Sequence, residues 1–337
     1  MTTLNPLRPL FCILGILSMI SCSEDLDILT GSESIPVVYC IINPQDSVFN
    51  VLLTRTFSGY KSAPEMAQDP AFIAYQRAKI TLEAWSKGFR IWETVFSAMP
   101  YGRDTGFFSS APGCAFETRN VLSSFFGYSS LENPDTLFDD LRLVIDYQDN
   151  HEPSYARIAA NIAKPKIIYP IYTYKEFRLY DSIPYYIEFN TSDRLYYDLR
   201  CKIHYREEAN SIEDKTIDFS VHPDIDTKDG PQFLFINPDK FFKRLAKAFP
   251  DSKDVIQRDL ISLDLELHVG SSSLRTFMDT YYSDNDQGYQ LWNNFHNGIG
   301  LFALKAYTSL SKLVMDQRTK DSLAWGRYTK DLKFNRW

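Results

Sequence analysis

Histidine and cysteine are scarce, five of each in 337 residues, and neither falls in a spacing that organises metal or redox chemistry. No Cys-x-x-Cys occurs, which removes the usual basis for a zinc ribbon or a thioredoxin-type site. Gly-x-Ser-x-Gly and His-Glu-x-x-His are absent too, and with them two familiar ways of bringing a nucleophile or a zinc-bound water to its base. His151, His204, His268 and His296 stand singly, so no catalytic set is named and neither a cofactor nor a metal is expected. Basic side chains are outnumbered, 36 Lys and Arg against 43 Asp and Glu, for a formal charge of −7. Binding along a nucleic-acid backbone needs clustered cations, so nucleic acid is not an expected partner. Long apolar runs are also missing. Leu10 to Ile20 as a helix would reach about 16 Å against a hydrocarbon core of about 30 Å, and no stretch after Cys22 reads as a membrane span.

What is present begins with that short run. Arg8 precedes it, small residues end it at Ser21 and Cys22, and Glu24, Asp25 and Asp27 follow. A positive start, an apolar middle and small residues at a cut site are the layout of an export signal. Met19-Ile20-Ser21-Cys22 resembles the bacterial lipobox, which implies a lipidated Cys22 and acyl chains such as palmitate in the membrane. Each buried methylene contributes about 0.8 kcal/mol, so several chains hold a protein without a spanning helix. The acidic residues behind Cys22 resemble the signal that sends Bacteroidetes lipoproteins to the outer face of the outer membrane. The sequence thus divides into a signal at 1–21 and a flexible acidic tether at 22–34, ahead of the folded body.

The body is expected to be mainly β. Ile35 to Ile42 and Val48 to Phe57 form a hairpin across Asn43-Pro44-Gln45-Asp46, and Ala78 to Trp85 and Phe89 to Phe96 form a second. Leu141 to Tyr147 and Ala156 to Ile162 close this unit, so 35–165 is read as an immunoglobulin-like β-sandwich. Lys164-Pro165-Lys166 punctuates the chain, and 166–337 is read as a second β-rich domain with a few short helices. Asn237 caps a helix with Pro238 at its first position and Phe241, Phe242, Leu245 and Phe249 on one face. Ile261, Leu263, Leu265, Leu267 and Val269 alternate with polar residues, a half-buried strand closed by Gly270. Short helices follow Ser271 and Asp316, and Ile299 to Tyr307 is a strand after Asn297-Gly298. Of the cysteines in the body, Cys40, Cys114 and Cys201, at most two can pair.

Pro36-Val37-Val38-Tyr39, Asn43-Pro44-Gln45-Asp46-Ser47-Val48, Arg55-Thr56-Phe57, Asn297-Gly298-Ile299-Gly300-Leu301-Phe302 and Asp321-Ser322-Leu323 add to the lipobox. Together they resemble a family of Bacteroidetes outer-membrane lipoproteins of unknown function, and they span both halves of the body. Some members lie beside TonB-linked transporters, so the resemblance implies a surface or accessory role with a transporter or other envelope protein as partner. It supplies no active site.

The remaining constellations divide by chemistry. Gly298-Ile299-Gly300-Leu301-Phe302-Ala303 has the letters of a dinucleotide fingerprint, but a strand follows where the phosphate-binding helix should begin, so it reads as a turn. His222-Pro223-Asp224-Ile225-Asp226 reads as a polar loop, and Asp284-Asn285-Asp286-Gln287-Gly288 as a solvated turn. Tyr169, Tyr172, Tyr174, Tyr180, Tyr185 and Tyr186 offer flat apolar faces with polar tips, suited to sugar or peptide recognition. Tyrosine is also an ordinary strand residue, and the competing role for this set is to pack the two halves together. Ser47, Thr136, Ser182 and Ser322 lie in Asp-Ser/Thr-aliphatic triplets that resemble O-glycosylation sites of exported Bacteroidetes proteins. The leading expectation is a non-enzymatic, lipid-anchored outer-membrane protein that binds or assists another envelope component. The alternatives are a surface hydrolase of glycan or peptide and a structural subunit of a surface appendage. An enzyme needs a pocket with a tuned acid or base, an appendage subunit an open groove or detachable strand, and an accessory protein an exposed aromatic or apolar patch.

Overall fold

The structure, a computed structural model, describes residues 34–56, 61–75, 77–101, 113–119, 138–147, 151–160, 165–171, 175–179, 184–190, 196–221, 224–226, 232–250, 254–281 and 293–335. Cys22, the signal and the tether up to residue 33 lie outside them, as do Tyr172, Tyr174, Tyr180, Thr136, Ser182, His222 and residues 284–288. Among the described residues no helix is long and apolar enough to cross a membrane.

The chain opens with the expected hairpin, β1 (Pro36–Ile42) and β2 (Val48–Arg55). Its turn is tied by Asn43, whose amide donates to Asp46 at 2.8 Å and whose Oδ1 accepts from the Gln45 backbone at 3.1 Å. The stretch after it holds two one-turn helices, α1 (Ala63–Ala67) and α2 (Pro70–Ile73). Ser62 and Glu65 make a reciprocal capping box at the start of α1, a local device that forms a helix too short for a periodicity to register. The second hairpin is β3 (Ala78–Ser86) with β4 (Phe89–Val95). Sequence reading missed the next pair, β5 (Ser97–Tyr101) and β6 (Gly113–Arg119). Then come β7 (Asp140–Tyr147) and β8 (Ser154–Ala159).

The second half runs β9 (Lys166–Tyr169), β10 (Glu176–Phe177), β11 (Tyr185–Asn190), β12 (Tyr196–Glu208), β13 (Ile212–Ser220), β14 (Asp224–Asp226) and β15 (Gln232–Ile236). It continues with α3 (Pro238–Ala248), β16 (Gln257–Gly270), α4 (Ser272–Tyr281), β17 (Phe295–His296), β18 (Ile299–Met315) and α5 (Gln317–Trp325). The Asn237 side chain accepts from the Lys240 backbone at 3.2 Å and caps α3, and Asp316 caps α5 by accepting from Thr319 at 3.0 Å. Each cap is worth about 1 kcal/mol.

One sheet unites the two halves. Its order is β13-β12-β16-β18-β1-β2-β6-β5, with β10 paired to the far end of β18. The start of β18 runs parallel to β1, and its length runs antiparallel to β16. A five-stranded sheet, β17-β8-β7-β3-β4, packs on the β1 side to make a sandwich. Its core joins Val38, Cys40, Val51 and Phe302 of the long sheet to Ile80, Leu143, Ile145 and Ala156 of the shorter one. The other end of the long sheet is covered by a four-stranded sheet, β14-β15-β11-β9, and by α3. Leu199, Ile203, Leu265 and Leu313 meet Ile187, Leu234, Phe241 and Leu245 in this second core. The fold is thus mainly β, a sandwich followed by a β-rich half with short helices. The first core is built from residues between 38 and 160 together with Phe295 of β17 and Phe302, Leu304 and Ala306 of β18, and the second from residues between 177 and 334, Leu310, Leu313 and Met315 of β18 among them. Cys40 lies in the first core and Cys201 in the second, both as free thiols whose burial pushes them well above the ordinary thiol range.

Two interruptions keep the long sheet in phase. Between Leu263 and Leu265 of β16, the partner β18 advances three residues, from Leu313 to Leu310. The extra residue is absorbed at Lys312, which has a positive φ of 60° and whose backbone N–H donates to Asp264 at 2.7 Å. The bulge lets Leu310 and Leu313, an odd step apart, both face the second core. A similar shift between His204 and Tyr205 corrects one sequence expectation. Ile261, counted with the buried face of its strand, is the extra residue there and is 48% exposed.

Candidate functional site

The outer face of the four-stranded sheet carries the most distinctive side-chain arrangement. β11 sends Tyr185, Ile187 and Phe189 into the core and leaves Tyr186 and Glu188 on the other side. β15 buries Leu234 and Ile236 and leaves Phe233 and Phe235 outward. Period-two alternation puts each outward set on one surface. The register then sets Tyr186 opposite Phe235, and Glu188 between Phe233 on one side and Tyr169 of β9 on the other.

The result is a cluster of four rings. Tyr169 and Tyr186 stack with centroids 4.6 Å apart and planes inclined by 15°. Tyr186 also lies 6.4 Å from both Phe233 and Phe235, which stack on each other at 6.3 Å. Tyr186 is 38% exposed and the other three less so. These spacings lie in the 4.5–7 Å range of favourable ring pairs, so each ring holds its neighbour upright on the sheet. The platform is preformed, with an ionisable carboxylate at Glu188 set among the rings.

Of the tyrosines grouped from the sequence, Tyr169 and Tyr186 are brought together here. Tyr185 is the correction: it is 8% exposed and packs on Phe177 with centroids 4.7 Å apart, because it is the odd neighbour of Tyr186 on a strand with one buried face. Neither Tyr169 nor Tyr186 joins the two halves, which are linked through β18 and through the pairing of β17 with β8. Phe233 and Phe235 were missed. Gln232-Phe233-Leu234-Phe235-Ile236 is apolar at four consecutive positions, a pattern of a strand buried on both faces, and only the pairing with β11 reveals that one face is open.

A second feature is a cleft of about 430 Å³ where the chain enters β1, lined by Ser34, Ile35, Pro36, His151, Glu152, Asn297 and Gly298. Asn297, at φ 53°, donates to Glu152 at 3.0 Å, and its carbonyl accepts from the Ser154 hydroxyl. Ser154 in turn accepts from the Tyr147 hydroxyl at 2.8 Å and is fully buried. Its proton is committed to a carbonyl, so it is not presented as a nucleophile. His151 stands edge-on to Tyr75 and Tyr147, 6.1 Å from each. The adjoining glycines obey the turn reading: a strand, β18, follows them directly, with no helix start to receive a phosphate.

The face of the long sheet turned away from the second core holds His204 and His268 in an ionic lattice. His204 contacts Asp264 at 3.1 Å and Thr216 at 2.9 Å, and Lys202 contacts Glu266 at 2.5 Å. The Glu266 hydrogen bond raises the Lys202 ammonium above its ordinary range. His268 approaches Glu266 at 3.3 Å and Tyr307 at 5.3 Å between centroids. Burial and the Lys305 charge push it below the ordinary histidine range, against the pull of Glu266. Among the described residues no group of three or more His, Cys, Asp or Glu is arranged to hold a metal. Of the glycosylation triplets, Ser47 is exposed in the first turn, while Ser322 is half-buried on α5 and donates to the Arg318 carbonyl at 3.0 Å. Compared with models of known families the chain matches none, and compared with curated proteins it matches none either.

Proposed function

We propose that this protein is a lipid-anchored binding component of the bacterial cell envelope. In this reading it is held to the outer membrane through acylated Cys22 and presents the aromatic platform to a partner or ligand. The observation that carries the binding role is the exposed stack of Tyr169 on Tyr186, with Phe233 and Phe235 beside it. Aromatic rings left on a solvent face are costly, since each withholds apolar area worth about 25 cal/mol per Å² from the core. Rings held in fixed orientation by their neighbours bind with little ordering cost, as aromatic side chains in paratopes do. The anchor rests on the sequence: Arg8, the short run ending at Ile20, and Ser21-Cys22. With the tether at 22–34, the body stands at most about 47 Å from the lipid, at roughly 3.3–3.6 Å per residue. A membrane-tethered, acidic body of this kind suits an accessory role beside an outer-membrane transporter.

Two measurements test the two parts. Cys22→Ala should release the protein from membranes and abolish labelling by a palmitate analogue; a variant that stays labelled and sedimenting overturns the anchor. Photo-crosslinking from position 186 in intact cells should trap one defined envelope component, and the same probe at exposed Ile212 on β13 should not. Equal trapping from both positions would remove the platform from the binding role.

A further inference from the structure

We infer that the ligand of the platform is a neutral saccharide, an inference that rests on the reading of this face as the binding surface. Area is the first discriminator. Four aromatic side chains of about 200 Å² each, with Tyr186 at 38% the most exposed, present at most about 300 Å². A stable protein interface takes about 800 Å² from each partner. A platform of this size covers one or two sugar rings, whose C–H groups rest on the exposed edges of the upright rings while their hydroxyls project around them.

Polar groups are the second discriminator. Glu188 stands between Tyr169 and Phe233 in register, on the same side of the strand as Tyr186. An ionised carboxylate only accepts hydrogen bonds, and sugar hydroxyls are donors that suit it. Lys166, in register with Asn190, lies one pair beyond, at the end of β9. The carboxylate stands among the rings and this cation at the edge, which disfavours an anionic glycan over the rings and leaves a neutral one. The tyrosine hydroxyls of Tyr169 and Tyr186 both donate and accept, which completes a rim for a polyol around an apolar floor.

The test uses the full-length protein in detergent, run in native gels containing a soluble β-glucan, α-glucan, mannan or xylan. At least one of the four should retard the wild type. Tyr186→Ala and Tyr169→Ala should each weaken that retention by about tenfold or more in apparent Kd, as loss of a central aromatic contact does. Tyr186→Phe, which keeps the ring, should retain most of it. Retardation by none of the four overturns the inference, as does unchanged retention of the alanine variants with melting curves that show them folded. Where none retards but the crosslink from position 186 still traps its envelope component, the saccharide fails and the platform stands. Concentration-dependent self-association lost in Tyr186→Ala would identify a second copy of the chain as the occupant and also overturn the saccharide.

Discussion

The guanidinium of Arg258 meets the carboxylate of Glu207 at 2.8 Å, with 3% and 8% of the two side chains exposed. They are cross-strand partners on β16 and β12, turned inward by the bulge at Ile261. Arg258 also donates to the Leu332 carbonyl at 2.7 Å, and its backbone pairs with Lys333 and Asn335, so the pair fastens the end of the chain to the sheet. Removing one member of a buried pair leaves an uncompensated charge, at about 3–5 kcal/mol. Arg258→Met leaves Glu207 only the part-exposed Lys215, at 2.6 Å, and should therefore cost towards the lower end of that range in urea unfolding. Arg258→Met with Glu207→Met should recover part of it, because both charges then leave the core. Burial pushes the Glu207 carboxyl up, but hydrogen bonds and charge from Lys215 and Arg258 outweigh it and hold it below the ordinary value of 4.5. A depressed carboxyl stabilises the fold above that value and loses the contribution as pH falls through the folded range. Acid unfolding of Glu207→Gln should accordingly show a shallower loss below pH 4.5 than the wild type.

Gly300 makes a sharper claim about the junction of β1 and β18. It sits at φ +134°, paired in parallel with Val38, and a Cβ there would lie 1.8 Å from the Val38 carbonyl oxygen. Gly300→Ala must break the only parallel contact between the long sheet's two halves among the described strands, at a cost above about 3 kcal/mol. Gly88, at φ +84° in the β3–β4 turn, has nothing within 4 Å of a built Cβ. Gly88→Ala should lose only the backbone term of about 1–2 kcal/mol. Equal effects of the two in thermal melts would refute the close approach.

The parts of the fold that were legible in sequence are those fixed by local chemistry. The Asn43 turn, the Asn237 and Asp316 caps and the alternation of Leu263, Leu265 and Leu267 each announce themselves within a few residues. What escaped depends on partners far along the chain. β5 has Pro100 within it and pairs with β6, and nothing in Ser97-Ala98-Met99-Pro100-Tyr101 alone marks a strand. The joining of the halves by β18 escaped because its parallel partner, β1, lies over 250 residues earlier. The platform was half legible: tyrosine density pointed to the region, but only the pairing of β11 with β15 separates buried Tyr185 from exposed Tyr186 and adds the two phenylalanines.

His268 provides a pH-dependent signature distinct from that of Glu207. Its ring is 7% exposed, and Nδ1 has no hydrogen-bond partner among the described residues. Burial and Lys305 hold its folded value below the ordinary 6.5, with Glu266 and Asp198 pulling the other way. A histidine depressed in the fold favours folding above 6.5, where both states are neutral, and stability declines as pH falls from 6.5 through the folded value. An NMR titration should place its midpoint below 6.5, and His268→Gln should flatten the decline of stability between pH 6.5 and 5. A midpoint above 6.5 would mean that the Glu266 contact at 3.3 Å outweighs burial.

The bulge at Lys312 ties sequence length to the side of the sheet on which each residue lands. Lys312 occupies φ 60°, which costs a residue with a Cβ about 1–2 kcal/mol. Lys312→Gly relieves that strain at an unfolded-state entropy cost of about 0.5–1 kcal/mol, so the variant should be as stable as the wild type or up to about 1 kcal/mol more stable. Deleting Lys312 should heal the bulge. Leu310 and Leu313 would then stand two residues apart, matching Leu265 and Leu263 across the ladder, so Leu313 and Met315, each 2% exposed, stay on the core face. Loss of the Lys312 N–H bond to Asp264 and relief of the positive φ oppose each other at about 1–2 kcal/mol each, so the deletion should unfold in urea within about 2 kcal/mol of the wild type. A loss above about 3 kcal/mol, the cost of turning two such side chains to water, would show that β18 does not re-form in register and that the extra residue is needed to set the phase of the strand.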